Sequence, residues 1–175
     1  MRGDLAERAA RRDDDDAQTA LSAIGQYDVR VTPLQVAMVS AALANGGTLM
    51  QPYLVARVRT PDLSVAVETD PEEIGTPISR STADSLRDMM VGVVQDGTGT
   101  SAQIPGVQVA GKSGTAGTTA DAAPHAWFTS FAPADDPQVV VAVIVENGGD
   151  AGNEATGGRV AAPIARAVME AVNNR

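Results

Sequence analysis

Residues 106 to 117, GVQVAGKSGTAG, admit two architectures that exclude each other. Gly106 to Ser113 satisfies the phosphate-loop pattern G-x-x-x-x-G-K-[ST] letter for letter. A phosphate loop needs a buried strand, then a glycine-rich loop, then a helix whose N-terminus starts at the Lys-Ser pair and faces the anion. The alternative is one extended strand running through Lys112. The supposed loop interior is VQVA, an alternating β-branched stretch that favours extension. After Lys112 come SGTAGTTADAAP, whose hydroxyl residues, glycines and proline start a helix poorly. The preceding QIP is not a buried strand, and in the run VVAVIVEN Glu146 lacks the preceding Asp expected of a nucleotide hydrolase. The extended reading is preferred, and nucleotide binding is not expected.

On an extended strand Lys112 and Gly114 share one face, and Ser113 and Thr115 the other. Gly114 lacks a Cβ and lets another backbone come close. Lys112 is the only lysine among 13 basic residues, so its position hints at a task for a compact ammonium. The plainer reading is a surface lysine on an edge strand.

The rest of the chain alternates helical and extended patterns. Thr32, Pro33 and Gln35 form a capping box with proline at the first helical position. Leu34, Ala37, Met38, Ala41 and Ala42 then make an apolar stripe, and NGG at 45 to 47 ends the helix. YLVARVR and LSVAVE alternate around TPD, which predicts a hairpin over 53–68. A second helix is expected from Ser81 to Gln95, capped by Ser81 and Asp84, with Leu86, Met89, Met90, Val93 and Val94 facing the core. DGTGT closes it.

Three strands follow over 107–115, 126–132 and 138–146. NGGDAGNEATGGR leads into a last helix carrying Val160, Ile164, Ala167, Val168 and Val172 on one side. We read its glycine-rich part as a flexible connection rather than an anion nest. The order predicts an α/β protein of α+β type, an antiparallel sheet flanked by helices.

With 175 residues there is room for one domain and little more. Aromatics make up only 3%, so Ala and Val must fill the core. A net charge of −9 argues against nucleic acid or an anionic membrane as partner. Cysteine is absent, which excludes disulfides and thiolate chemistry. The longest apolar run, VVVAVIV, is strand length, and the charged start MRGDLAERAARRDDDD is not a signal peptide. Residues 1–20, with the run Asp13 to Asp16, read as a charged linker or ragged end, and residues 21–175 as the folded part. The acidic run lacks the Gly and distal Glu of a calcium loop.

Several stretches in order carry a family resemblance. AIGQYDVRVTPLQVAMVSAALANGG, GTGTSAQIPGVQVAGKSGTAG, HAWFTSFAPADDPQVVVAVIVENGG and EATGGRVAAPIA resemble the C-terminal part of class B penicillin-binding protein transpeptidase domains. The likeness runs over residues 22–172 and looks closest to the actinobacterial penicillin-binding protein A group. It implies a partial penicillin-binding, β-lactamase-like fold without metal or other cofactor. It also implies a peptidoglycan D,D-transpeptidase that cross-links stem peptides through an acyl-serine and binds penicillin. Lys112, Ser113 and Gly114 would form the third family motif, on a strand lining the groove. Lys112 would hydrogen-bond a serine of the second motif and pass protons during acylation. The hydroxyls of Ser113 and Thr115 would bind the terminal carboxylate of D-Ala-D-Ala or of a β-lactam, and the Thr115 N–H would be half of the oxyanion hole. The family setting is the extracytoplasmic face of the membrane, with an N-terminal anchor absent from this chain and a glycan-polymerising partner.

The pattern also departs from the family. With Lys112 the only lysine, Ser-x-x-Lys would need serine at 109, where Val109 stands, and no serine is followed two places on by asparagine. Family order puts both motifs upstream of this region. The chain is therefore expected to be the C-terminal part of such a domain and inactive alone. The alternative is a non-catalytic transpeptidase-like binding domain or a gene relic. No G-x-S-x-G elbow offers another hydrolase; His125 reads as a structural residue at a strand start, and Trp127 as core or groove wall.

Overall fold

A computed structural model describes residues 16–27, 29–117 and 122–173. Most of the charged segment 1–20 lies outside the described residues. The chain divides into two units, Met1–Val31 and Thr32–Arg175. In the first, Asp16–Ala23 forms helix α1, none of whose residues is buried. Ala17, Ala20, Leu21 and Ala23 favour a helix there, so part of the segment that charge alone reads as linker is helical.

In the second unit the expected capping box starts helix α2, Pro33–Ala44. The Thr32 hydroxyl accepts the Gln35 N–H at 3.2 Å, and Gln35 Oε1 accepts the Thr32 N–H at 2.8 Å. Gly47 ends the turn at φ +98°, with the Ile78 carbonyl oxygen only 2.3 Å from where a Cβ would stand. Short strands β1, Leu49–Met50, and β4, Glu73–Gly75, pair around a hairpin. That hairpin joins β2, Arg57–Arg59, to β3, Val65–Glu68, and is narrower than its sequence pattern. In its turn the Thr60 hydroxyl, then the Ser64 hydroxyl and N–H, donate to Asp62 and hold its carboxyl below the ordinary range.

Helix α3 spans Arg80–Gln95. Its cap is Ser79 and not Ser81, because Ser79 is the residue whose hydroxyl reaches the Thr82 N–H, at 3.1 Å. Its buried stripe is Ala83, Met90, Val91 and Val94, spaced i, i+7, i+8, i+11, while Met89 is 66% exposed. The expected face is thus rotated by about one position, since a helix buries by angle and not by residue type.

Strands β5, Ala110–Ala116, β6, His125–Ala132, and β7, Val139–Val145, form an antiparallel sheet in the order β5-β6-β7. Register is unbroken, with Lys112 opposite Thr129, Ser113 opposite Phe128, Gly114 opposite Trp127 and Thr115 opposite Ala126. Lys112 to Ala116 stays extended where a phosphate loop would begin its helix. The strand starts three residues later than expected, because Gly106 turns at φ +78° and Val107 bridges back to Ile104.

A π-helical turn, Gly157–Ala161, runs into the final helix α4, Ala162–Asn173. Phe128 and Phe131 point to opposite faces of β6. Phe128 packs with Val94, Val109, Ala162, Ala165 and Met169, and Phe131 with Met90, Val91 and Ala110, joined by Leu43 of α2. Helices thus cover an antiparallel sheet whose core is mostly small aliphatic side chains, as composition requires.

Candidate functional site

Among the described residues β5 is an edge strand, so one row of its backbone groups is unused by the sheet. The Ser113 carbonyl belongs to that row and accepts Lys112 Nζ at 2.6 Å. Thr115, two residues on, turns its N–H and C=O the same way. The free edge therefore offers extended backbone beside an exposed ammonium and the exposed hydroxyl residue Thr115. Such an edge can receive an extended peptide by strand addition, and the cation and hydroxyls suit an anionic end group.

Two further segments close on this strand. The first is the loop after α3, where Gly97 and Gly99 both donate their N–H to the Val93 carbonyl. Thr98 lies between them, and its hydroxyl is 2.6 Å from that of Ser113. The second is Thr156-Gly157-Gly158, capped by the Thr156 hydroxyl accepting the Arg159 N–H at 3.3 Å. A Cβ on Gly157 would meet the Trp127 carbonyl oxygen at 1.9 Å, and Gly114 O and N at 2.7 and 2.9 Å. A Cβ on Gly158 would stand 1.9 Å from the Thr98 carbonyl oxygen. Both glycines are required because backbone packs directly on backbone.

The structure therefore brings Lys112, Ser113, Gly114 and Thr115 together with three residues that sequence reasoning passes over. Thr98 sits in a loop whose sequence only marks the end of a helix, and Gly157 and Gly158 in a connection that reads as flexible. Repeated small residues in DGTGT and ATGGR are the available signal. Ser40 is the fourth omission. It is buried in the mostly apolar α2 and lies 2.6 Å from the hydroxyl of Thr129, Lys112's cross-strand neighbour. It ties α2 to the face of the sheet on which Lys112 lies.

His125 begins β6, and its Nδ1 accepts the Asn147 N–H at 2.9 Å, fastening the glycine-rich loop to the strand. Among the described residues, no group of three or more His, Cys, Asp or Glu could hold a metal ion. No helix of the described residues is long and apolar enough to cross a membrane. Two cavities open away from β5. One, of about 350 Å³, lies between the end of α3 and residues 103–109, and one of about 610 Å³ lies beside Gly148 and Gly149. The candidate site is an open edge and not an enclosed cavity.

The penicillin binding protein transpeptidase domain family matches residues 3–170. The chain is 48% identical over 160 residues to the peptidoglycan D,D-transpeptidase PbpA of Mycolicibacterium smegmatis, covering 90% of this chain and 32% of that protein. Penicillin-binding protein A from Mycobacterium tuberculosis, solved as a ceftriaxone acyl-enzyme complex, superposes with a TM-score of 0.84 at 45% identity, over 90% of this chain and 36% of that one. Its penicillin G acyl-enzyme complex gives a TM-score of 0.79 at 46% identity, over 90% and 35%. The chain spans about a third of the length of the relatives it matches.

Proposed function

The chain belongs to the penicillin-binding protein transpeptidase family, and on that premise we propose that it forms the substrate-binding side of a peptidoglycan D,D-transpeptidase site. The observation that carries this reading is the free edge of β5, with Lys112, Ser113 and Thr115 along it, Gly157 packed on the Gly114–Trp127 rung and Gly158 on Thr98. A stem peptide ending in D-Ala-D-Ala would lie along that edge. Its terminal carboxylate, or that of a β-lactam, would take the hydroxyls of Ser113 and Thr115. The acyl carbonyl would point its oxygen at the Thr115 N–H, which stabilises the charge that develops there.

The nucleophilic serine and the Ser-x-Asn motif would come from polypeptide outside these 175 residues, since neither pattern occurs within them. Lys112, as the compact cation of the site, would hydrogen-bond the second-motif serine and assist proton transfer as the nucleophile attacks. The resulting protein would act on the cell wall outside the cytoplasmic membrane, held by an anchor and serving a glycan-polymerising partner.

The test is a chimera in which residues 32–173 replace the matching segment of M. tuberculosis penicillin-binding protein A, a protein solved with penicillin G bound as an acyl-enzyme. Labelling by fluorescent penicillin is the expected result. A chimera that melts cooperatively yet takes no label would instead favour the non-catalytic binding domain.

A further inference from the structure

Thr98 and Ser113 are fifteen residues apart in sequence, and their hydroxyl oxygens are 2.6 Å apart in space. A serine hydroxyl has one proton to give. If Ser113 donated it to Thr98, the Ser113 oxygen itself would present only lone pairs to an incoming carboxylate, and that contact would be repulsive. If Thr98 donates instead, the Ser113 proton is free to point outward, and the two hydroxyls polarise each other in sequence.

We propose that Thr98 is a positioning residue for the anion site on β5, donating its hydroxyl proton to Ser113 so that Ser113 donates to the substrate carboxylate. The inference rests on the reading of β5 as a carboxylate-binding strand and extends it to a residue outside the Lys-Ser-Gly-Thr motif.

The backbone around Thr98 fits such a task. Gly97 and Gly99 fold the loop back onto the Val93 carbonyl, at 3.2 and 2.9 Å. Gly158 packs against the Thr98 carbonyl with no room for a Cβ, so the turn leading into α4 fixes the height of Thr98 over the sheet. The hydroxyl of an exposed threonine would otherwise sample several rotamers, and holding its backbone removes part of that freedom. The relay therefore runs from Gly158 through Thr98 to Ser113, and it links the last helix to the substrate edge.

The test is an NMR titration of the labelled 175-residue chain with N-acetyl-D-alanyl-D-alanine and, in parallel, its C-terminal amide. The parent chain should show saturable shifts at Ser113 to Thr115 with the acid and not with the amide. Thr98→Val should raise the dissociation constant of the acid by about three- to tenfold, the scale of losing one net hydrogen bond. Thr98→Ser should restore it, since it keeps the hydroxyl. Thr98→Val placed on Ser113→Ala should add nothing, because Thr98 acts through Ser113.

Equal affinity in the parent and Thr98→Val, or full additivity with Ser113→Ala, would overturn the inference. A parent chain blind to the carboxylate would overturn the underlying site reading, and the inference would fall with it. Unchanged melting temperatures separate lost binding from lost folding.

Discussion

Gly157 lies so close to Trp127 that a Cβ would stand 1.9 Å from the Trp127 carbonyl oxygen, with Gly114 on the other side of the same rung. This contact joins the turn before α4 to the middle of the Lys-Ser-Gly-Thr strand. Gly157→Ala cannot be absorbed by a side-chain movement, because the atoms it meets are backbone. Overpacking of a rigid contact costs about 1–3 kcal/mol and sometimes more. The expected outcome is a lowered melting temperature, with amide shifts moving at Gly114 and Trp127. A variant with the parent's melting curve and spectrum would show that the turn does not press on the sheet.

Gly92 gives the opposite sign. It sits inside α3, solvent-exposed, and a Cβ there would meet nothing within 4 Å. Gly92→Ala should stabilise the chain by about 1 kcal/mol, the difference in helix propensity between the two residues. Urea denaturation with an unchanged m-value checks it, and destabilisation would contradict the placement of Gly92 on an open helical surface.

The two sides of β5 predict different kinetic defects in the penicillin-binding chimera. Lys112→Ala should slow penicillin acylation by about a hundredfold or more, as expected when an acid–base or electrostatic element is lost. Thr115→Val keeps the branched shape and backbone N–H but removes the hydroxyl. It should weaken capture of the β-lactam before it slows the chemical step. Stopped-flow acylation over a range of drug concentrations separates the two, and parent-like rates in a folded Lys112→Ala chimera would refute the role of Lys112.

The 175-residue chain alone should form no covalent adduct with a penicillin. Ser113 is the tempting nucleophile beside Lys112, yet its hydroxyl is engaged with Thr98 while Lys112 Nζ is turned to the Ser113 carbonyl oxygen. Neighbouring side chains on a strand also face opposite ways, so Lys112 is badly placed to take the Ser113 proton. Intact-protein mass spectrometry after incubation with penicillin G should show the unmodified mass. A gain equal to the whole drug, mapped to Ser113, would be the contrary result.

Features built from neighbours in sequence are legible in the sequence itself. The Thr32–Gln35 capping box and the extended course of the three strands, Lys112 to Ala116 included, follow from local patterns of residue type. Each depends on hydrogen bonds or side-chain alternation that a short segment carries by itself. Helix α3 is harder. Its type is clear from its pattern, but Met89 has the spacing of a core residue and is 66% exposed, since the rotation of a helix is chosen by what it packs on.

The fold class, the family resemblance and the motif Lys112 to Thr115 need nothing beyond the order of residue types, because a motif is such an order. Long-range packing was needed to show that Thr98 meets Ser113 and that Gly157 and Gly158 press on Trp127 and Thr98. Those contacts join segments that no local period relates. They form only when α3, β5 and α4 pack around Phe128, which leaves the approaching backbones no space for a side chain.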